Sequence, residues 1–422
     1  MSRRPSPAVG RLIAVALLVA GASLPGVWSS PAHAEGVDAT NAPPEGCLTS
    51  STVYEGAQPW ALRRLSAQRS WPLARGYGVV VAVIGSGIDS GHAQFAPGQV
   101  LPGASLLPGG GSADDDCDGS GTFVAGLVAA RPHPATSVVG LAPDAQLLPV
   151  RVNESIDGSS APTDADLLAA GIEYARDEGA RVIVVSGPAV GPSERLSAAV
   201  RSAHDAGAVV VAGGGVESAT ADPAGDRYPC AIAEAVAVAA VDGDDAVVAG
   251  SCSGPTVDLA APGAGLVSTS AGSVDSMGHV SVDDGAPGYA TGYVAGALAL
   301  MLSYEPGLSG AAAARRLEQT ADRPPGGTRD DTWGWGVVNP YAALSAPLQA
   351  EESAGAAPGG TVFRRHEASQ PADHTVALSA GMALAGAAIL VLVTAVTTRA
   401  GRRRGWRPGR RTVSTAPARL MP

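Results

Sequence analysis

Few side chains in this chain have both the type and the spacing for chemistry. Asp89 and His92 stand three residues apart just beyond an apolar run at 78–84, and Ser120 follows a cluster of Asp114, Asp115, Asp116 and Asp118. A hydroxyl becomes a nucleophile only when a base lies within hydrogen-bond reach. Ser120 has no His beside it, so it is expected to cap the following helix, its Oγ on a backbone N–H. His92 is expected to point at the surface. The four carboxylates have the oxygens that a hard cation takes. The preferred reading is nonetheless a solvated loop pinned by Cys117. His133, His204, His366 and His374 are scattered without metal-ligand spacing, so no metal and no cofactor are assigned.

The elements that would position these residues alternate. Runs at 78–84, 145–152, 181–185 and 208–212 are continuously apolar, as strands buried on both faces are. Shorter strands are expected at 235–241 and 257–260. A helix is expected over 164–179, with Leu167, Leu168, Ile172 and Ala175 as its apolar stripe and Gly179 as its stop. A second is expected over 196–207. A long helix over 288–302, apolar on all sides, reads as buried all round. Strands alternating with helices imply a parallel sheet covered on both faces. The chain has 422 residues, enough for a sizeable core with extras. With 45% apolar and 16% charged residues it is neither disordered nor a coiled coil, and a net charge of −11 speaks against a general nucleic-acid partner.

The two ends suggest the compartment. Arg3, Arg4 and Arg11 flank an apolar run at 12–22, and Pro31-Ala32-His33-Ala34 follows as a small-x-small cleavage site. That is the pattern of a secretory signal peptide over 1–34. A second apolar segment, 375–398, makes a helix of about 36 Å against a hydrocarbon core of about 30 Å. Arg399, Arg402, Arg403, Arg404, Arg407, Arg410 and Arg411 follow it, which puts the 399–422 tail on the cytoplasmic side. The expectation is a single-pass membrane protein with its bulk outside and 347–374 as a linker. An exported domain lets its four Cys oxidise, and four Cys allow three pairings. Cys47–Cys117 with Cys230–Cys252 is favoured, the second pair closing a short loop.

Six motifs in order carry a resemblance. Gly85-Ser86-Gly87-Ile88-Asp89 with His92 is similar to the first signature of subtilisin-like serine proteases. Asp118-Gly119-Ser120-Gly121-Thr122-Phe123-Val124-Ala125-Gly126 resembles the second. Val139-Gly140-Leu141-Ala142-Pro143-Asp144 resembles the entry to the family's next strand, and Val257-Asp258-Leu259-Ala260-Ala261-Pro262-Gly263 a family loop. Tyr289-Ala290-Thr291-Gly292 resembles the third signature, and Gly334-Trp335-Gly336-Val337-Val338-Asn339-Pro340 the closing segment. The resemblance covers about 60–346. It implies a three-layer α/β fold around a seven-strand-type parallel sheet. A signal peptide, a Cys-bearing extension at 35–59, Asp116-Cys117-Asp118 and a terminal helix with a basic tail resemble mycosins, the membrane-anchored subtilases of actinobacterial type VII secretion systems. That resemblance also implies one disulfide from the extension to the second signature and another in a loop.

The family's chemistry then fails position by position. A Ser attacks the peptide carbonyl, a His takes its proton, an Asp orients the His and an Asn helps hold the oxyanion. The Asp position here is Gly85, the His position Ser120, the nucleophile position Gly288 and the oxyanion position Val216. Removing one member would strand a buried polar group, whereas small residues at all positions leave a neutral core. The expectation is a pseudoprotease. The family's substrate groove would be walled by Ser186, Gly187 and Pro188 and by Ala212, Gly213, Gly214 and Gly215, whose backbone groups an extended peptide would pair with. Three functions follow. The first is a scaffold within a type VII secretion membrane complex. The second is a module that captures exported peptides without cutting them. The third is an atypical serine endopeptidase.

Overall fold

The computed structural model describes residues 47, 50, 52–153, 163–189, 191–214, 228–272, 278–283, 285–324, 326–346, 397–399, 401–403 and 405. The chain divides into two compact units, 1–348 and 349–422. In chain order the first unit holds α1 (Trp60–Arg64), α2 (Ala67–Ser70), β1 (Val80–Gly85), β2 (Ala104–Ser105), α3 (Ser120–Ala129), β3 (Gln146–Arg151), α4 (Ala165–Asp177), β4 (Val182–Val185), α5 (Glu194–Asp205) and β5 (Val209–Gly213). It continues with β6 (Val236–Val241), β7 (Val257–Pro262), β8 (Leu266–Thr269), β9 (His279–Val282), α6 (Ala290–Tyr304), α7 (Gly310–Thr320) and α8 (Pro340–Ser345).

Seven strands form one sheet in the order β2-β3-β1-β4-β5-β6-β7, every pairing parallel. Alternation along β1 sorts the two faces. Val81 and Val83 pack with α3 and α6 residues, whereas Ala82 and Ile84 pack with α4 and α5 residues. This gives the expected three layers. The all-round apolar helix is α6, buried at every position from Ala290 to Leu302. A 3₁₀ turn, Pro287–Tyr289, leads into it. On α4, Ala169 is fully buried while Leu167 stays half-buried, so the stripe is shifted by part of a turn from the expected one. α5 starts at Glu194, ahead of the expected 196, because the Ser193 side chain accepts from the Leu196 N–H and caps it.

A two-stranded antiparallel sheet, β8 with β9, stands apart from the main one and was not foreshadowed by the sequence patterning. Its strands are four residues long, too short for a periodicity to declare itself. Both favoured disulfides are present, Cys47–Cys117 and Cys230–Cys252. Among the described residues no helix is long and apolar enough to cross a membrane. The expected signal peptide (1–34), the expected linker (347–374) and nearly all of the expected spanning segment 375–398 lie outside the described residues.

Candidate functional site

The sheet brings Gly85, Ser120 and Gly288 together at the carboxyl ends of its central strands, where open α/β sheets place their sites. Gly85 ends β1. The next residue, Ser86, is 2% exposed, and its Oγ accepts from the Gly121 N–H at 2.9 Å and lies 3.0 Å from Ser120 Oγ. The close approach of β1 to α3 needs glycine. A Cβ on Gly121 would sit 2.0 Å from the Gly87 carbonyl oxygen.

Ser120 is therefore no cap. The N-cap of α3 is Gly119, at φ +78°, and its side-chain capping comes from the acidic cluster. Asp116 accepts from the Gly119 N–H at 2.9 Å and from the Thr122 N–H at 2.7 Å, and Asp118 accepts from the Ser120 N–H at 2.7 Å. Carboxylates at a helix N-terminus satisfy orphan donors and complement the dipole. Asp116 is buried, which corrects the reading of a wholly solvated loop. Burial, and then the charge of Asp118, push its carboxyl up to about 6, against hydrogen bonds from Thr122 and Ser86. Asp115 stays exposed, 3.7 Å from Arg151. Among the described residues no group of three or more His, Cys, Asp or Glu is placed to hold a metal ion.

Gly288 closes the site. A Cβ at this position would lie 1.7 Å from the Ser186 carbonyl oxygen and 3.1 Å from that of Gly214. Such distances are far inside van der Waals contact, so the backbone of the groove wall occupies the space of a side chain. Thr291 Oγ1 donates to the Gly288 carbonyl at 2.6 Å and fixes the turn. Gly85 differs. A Cβ there meets only Ser186 Oγ, at 3.9 Å. The acid position thus has room for a side chain, and the nucleophile position has none.

Much of one expected groove wall is packed against neighbouring backbone. Gly213 and Gly214 are buried, their Cα faces packed on Gly288 and Thr291 and on Gly250 and Ser251. Their backbone is not open to a peptide, and close Gly-to-Gly packing is the reason. Ala212 is likewise fully buried. On the other wall the Pro188 carbonyl already accepts from the Thr163 N–H, and the Ala189 N–H donates to Tyr228. Ser186, Gly187 and Pro188 are half-buried, and a Cβ on Gly187 would meet nothing within 4 Å. Gly215 and Val216 lie outside the described residues.

Among the described residues no His hydrogen-bonds Ser86, Ser120 or Ser186. His92 is 1% exposed, contrary to the surface position expected of it. Its Nε2–H donates to the Gly278 carbonyl, and its Nδ1 accepts from the Gln94 N–H. Beside it His279 donates from Nε2 to Gln94 Oε1 and accepts at Nδ1 from the Tyr54 N–H. Asp89 accepts from the N–H groups of Gly91 and Gly272 and so ties two loops together. His133 and His204 are half-buried, and His366 and His374 lie outside the described residues. Sequence reasoning missed Ser86, Gln94 and His279. Only Ser86 carried a signal, its place directly after the strand that ends at Gly85.

Comparison with known proteins places this geometry. The model of the Subtilase family matches residues 76–336. Thermitase from Thermoactinomyces vulgaris is 36% identical over 299 residues, covering 70% of this chain and 99% of that protein. Mycosin-3 from Mycobacterium tuberculosis (strain ATCC 25618 / H37Rv) is 31% identical over 471 residues, covering 93% and 98%. A chain in the structure of the periplasmic assembly from the ESX-5 inner membrane complex is 26% identical, with a TM-score of 0.61. That likeness covers 76% of this chain and 94% of the other.

Proposed function

The chain belongs to the subtilase family, and from that premise we propose that it is a catalytically inactive, mycosin-like pseudoprotease. In this reading it is anchored by 375–398 with its main domain outside and its C-terminus cytoplasmic, and it stabilises a type VII secretion membrane complex. One observation carries the reading. The nucleophile position, Gly288, has no hydroxyl, and the Ser186 carbonyl lies where a side chain would begin. In subtilisin, a member of this family, losing the triad costs about 2 × 10⁶ in turnover. Losing an oxyanion donor costs about 10²–10³. With Gly85, Ser120, Gly288 and Val216 at the four positions, both losses apply.

What supports the scaffold half is length and company. The likeness to mycosin-3 runs over 93% of this chain and 98% of that protein, whereas thermitase aligns with 70% of this one. The ESX-5 assembly supplies the context of a membrane complex. A scaffold needs surface, anchor and rigidity, none of which depends on the triad. A peptide binder using the old groove is less well supported, because Gly213 and Gly214 are buried and the Pro188 carbonyl is taken.

Co-purification tests the proposal. The full chain, tagged after Pro422, is solubilised from its native membrane in mild detergent beside a control with an unrelated spanning helix in place of 375–398. A stoichiometric set of membrane partners, lost in the control, is the expected result. The protein alone, or exported peptides retained in both, overturns it.

A further inference from the structure

The small sheet β8–β9 leaves one edge half used. The His279 N–H donates to the Thr52 carbonyl at 2.9 Å, and Ser50 Oγ donates to the His279 carbonyl at 2.8 Å. Both groups therefore point away from β8, while the Gly278 carbonyl accepts from Ser270 on the β8 side. Backbone polarity repeats every two residues, so Ser281 presents its N–H and C=O to that same outer side. Ser281 and Asp283 are exposed, and no described residue pairs with the outward groups of Ser281. The extension covers the edge at His279 and then leaves it. The Tyr54 carbonyl accepts from Thr136, and that of Gly56 from Ser137.

Where the extension departs it opens a cleft of about 360 Å³ whose lining includes Tyr54, Pro59, Trp60, Arg63, Ser281 and Asp283. Trp60 is held rigid, its indole N–H donating to the Gly265 carbonyl at 2.8 Å. A bare strand edge beside a preorganised aromatic wall suits one chemistry. Only a polypeptide in extended form offers alternating donors and acceptors at strand spacing together with side chains that alternate in direction.

We propose that the Ser281 edge of β9, with the Tyr54–Trp60 cleft beside it, binds an extended peptide segment of a partner protein, which continues the line that Ser50 and Thr52 begin at His279. The main-chain groups of Ser281 pair with the peptide. An aromatic or branched side chain of the peptide enters between Tyr54, Pro59 and Trp60. Arg63 and Asp283 carry opposite charges at the rim, so the site selects shape and main chain over net charge. It is separate from the groove beside Gly288, and it stands or falls independently of whether that groove is inactive.

The test uses the full chain in mild detergent and a blocked, fluorescent hexapeptide of alternating Thr and Val with one central Tyr. Saturable binding below about 1 mM is expected. N-methylation of alternate amides, which removes the strand's donors, should weaken it about tenfold or more. Ser281→Pro should do the same. Trp60→Ala should reduce affinity about tenfold by removing a cleft wall. Because Ser281→Pro is able to disturb the hairpin, amide exchange on the unaltered chain is read as well. The peptide should slow exchange at 281–283 and leave 186–188 unchanged. Three results would overturn the proposal: no saturable binding, equal binding of the N-methylated peptide, or a chain that dimerises through this edge.

Discussion

Two regions of the domain face each other in character. Around Gly85, Ser120 and Gly288 the side chains are two hydrogen atoms and one hydroxyl, and at Gly288 backbone packs directly on backbone. Around His92, Gln94 and His279 a polar network is kept whole under the N-terminal extension, with each imidazole donating from Nε2 and accepting at Nδ1. The two rings meet edge to face at 5.7 Å. Buried polar groups are costly unless fully paired, so a network of this kind persists only where its partners persist. The contrast teaches where this domain places its paired polar groups: they clamp the extension to the domain, whereas the Gly85–Gly288 region is built of small residues and close backbone contacts.

The comparison is broken most strongly at its covalent clamp. Cys117 belongs to the first region's loop and Cys47 to the extension, 70 residues apart. Replacing Cys47 with Ser should cost roughly 4 kcal/mol in the chain-entropy treatment, read by denaturant unfolding. The next effect contrasts two glycines of the old groove. Gly288→Ala should destabilise by about 3 kcal/mol, because its methyl meets the Ser186 carbonyl. Gly187→Ala meets nothing within 4 Å and should change stability by less than about 0.5 kcal/mol. Equal effects would remove the claim that backbone fills the side-chain space at Gly288 and leaves it open at Gly187. A smaller loss, about 1–3 kcal/mol, is expected of Ser86→Ala, which leaves the Gly121 N–H without its acceptor.

The pH response separates the regions by sign. Asp116 is raised to about 6 above the ordinary value of 3.8, so the folded state holds its proton first. Its contribution makes the domain more stable as pH falls from about 6 toward 4. His279 is lowered to about 4 from 6.5, by burial first and then by His92 and His133. The unfolded chain takes that proton first, so its contribution is full above pH 6.5 and is lost as pH falls toward 4. Asp116→Asn should therefore remove a gain in melting temperature between pH 6 and 4, and His279→Gln should remove a loss. If both variants shift the profile the same way, the assignment of opposite roles fails.

Much of this was legible in the sequence. Strands buried on both faces declare themselves as apolar runs, and 79–84 or 209–212 admit little else. The sequence also pointed to Gly85, Ser120 and Gly288 as neighbours, and the structure gathers them around Ser86 and Ser186. What the sequence hid is long-range. His92 looks like a surface residue until Gly278, 186 residues on, supplies the carbonyl for its ring. Asp116 looks like one of four solvated acids until α3 folds its first turn over it. The closure at Gly288 is an approach of main chain from Ser186, and no side-chain pattern announces that. The β8–β9 hairpin adds distant partners to its own ladder, Ser268 and Thr269 donating to α3 carbonyls and His279 to the Thr52 carbonyl.

The central claim is that this domain does no acyl transfer. It is tested most directly by intact-mass measurement of the full chain after treatment with a serine-directed fluorophosphonate, with thermitase as the reacting control. The account predicts no added mass under conditions in which thermitase is fully modified. A single stoichiometric adduct, abolished by Ser120→Ala or by Ser86→Ala, would contradict it.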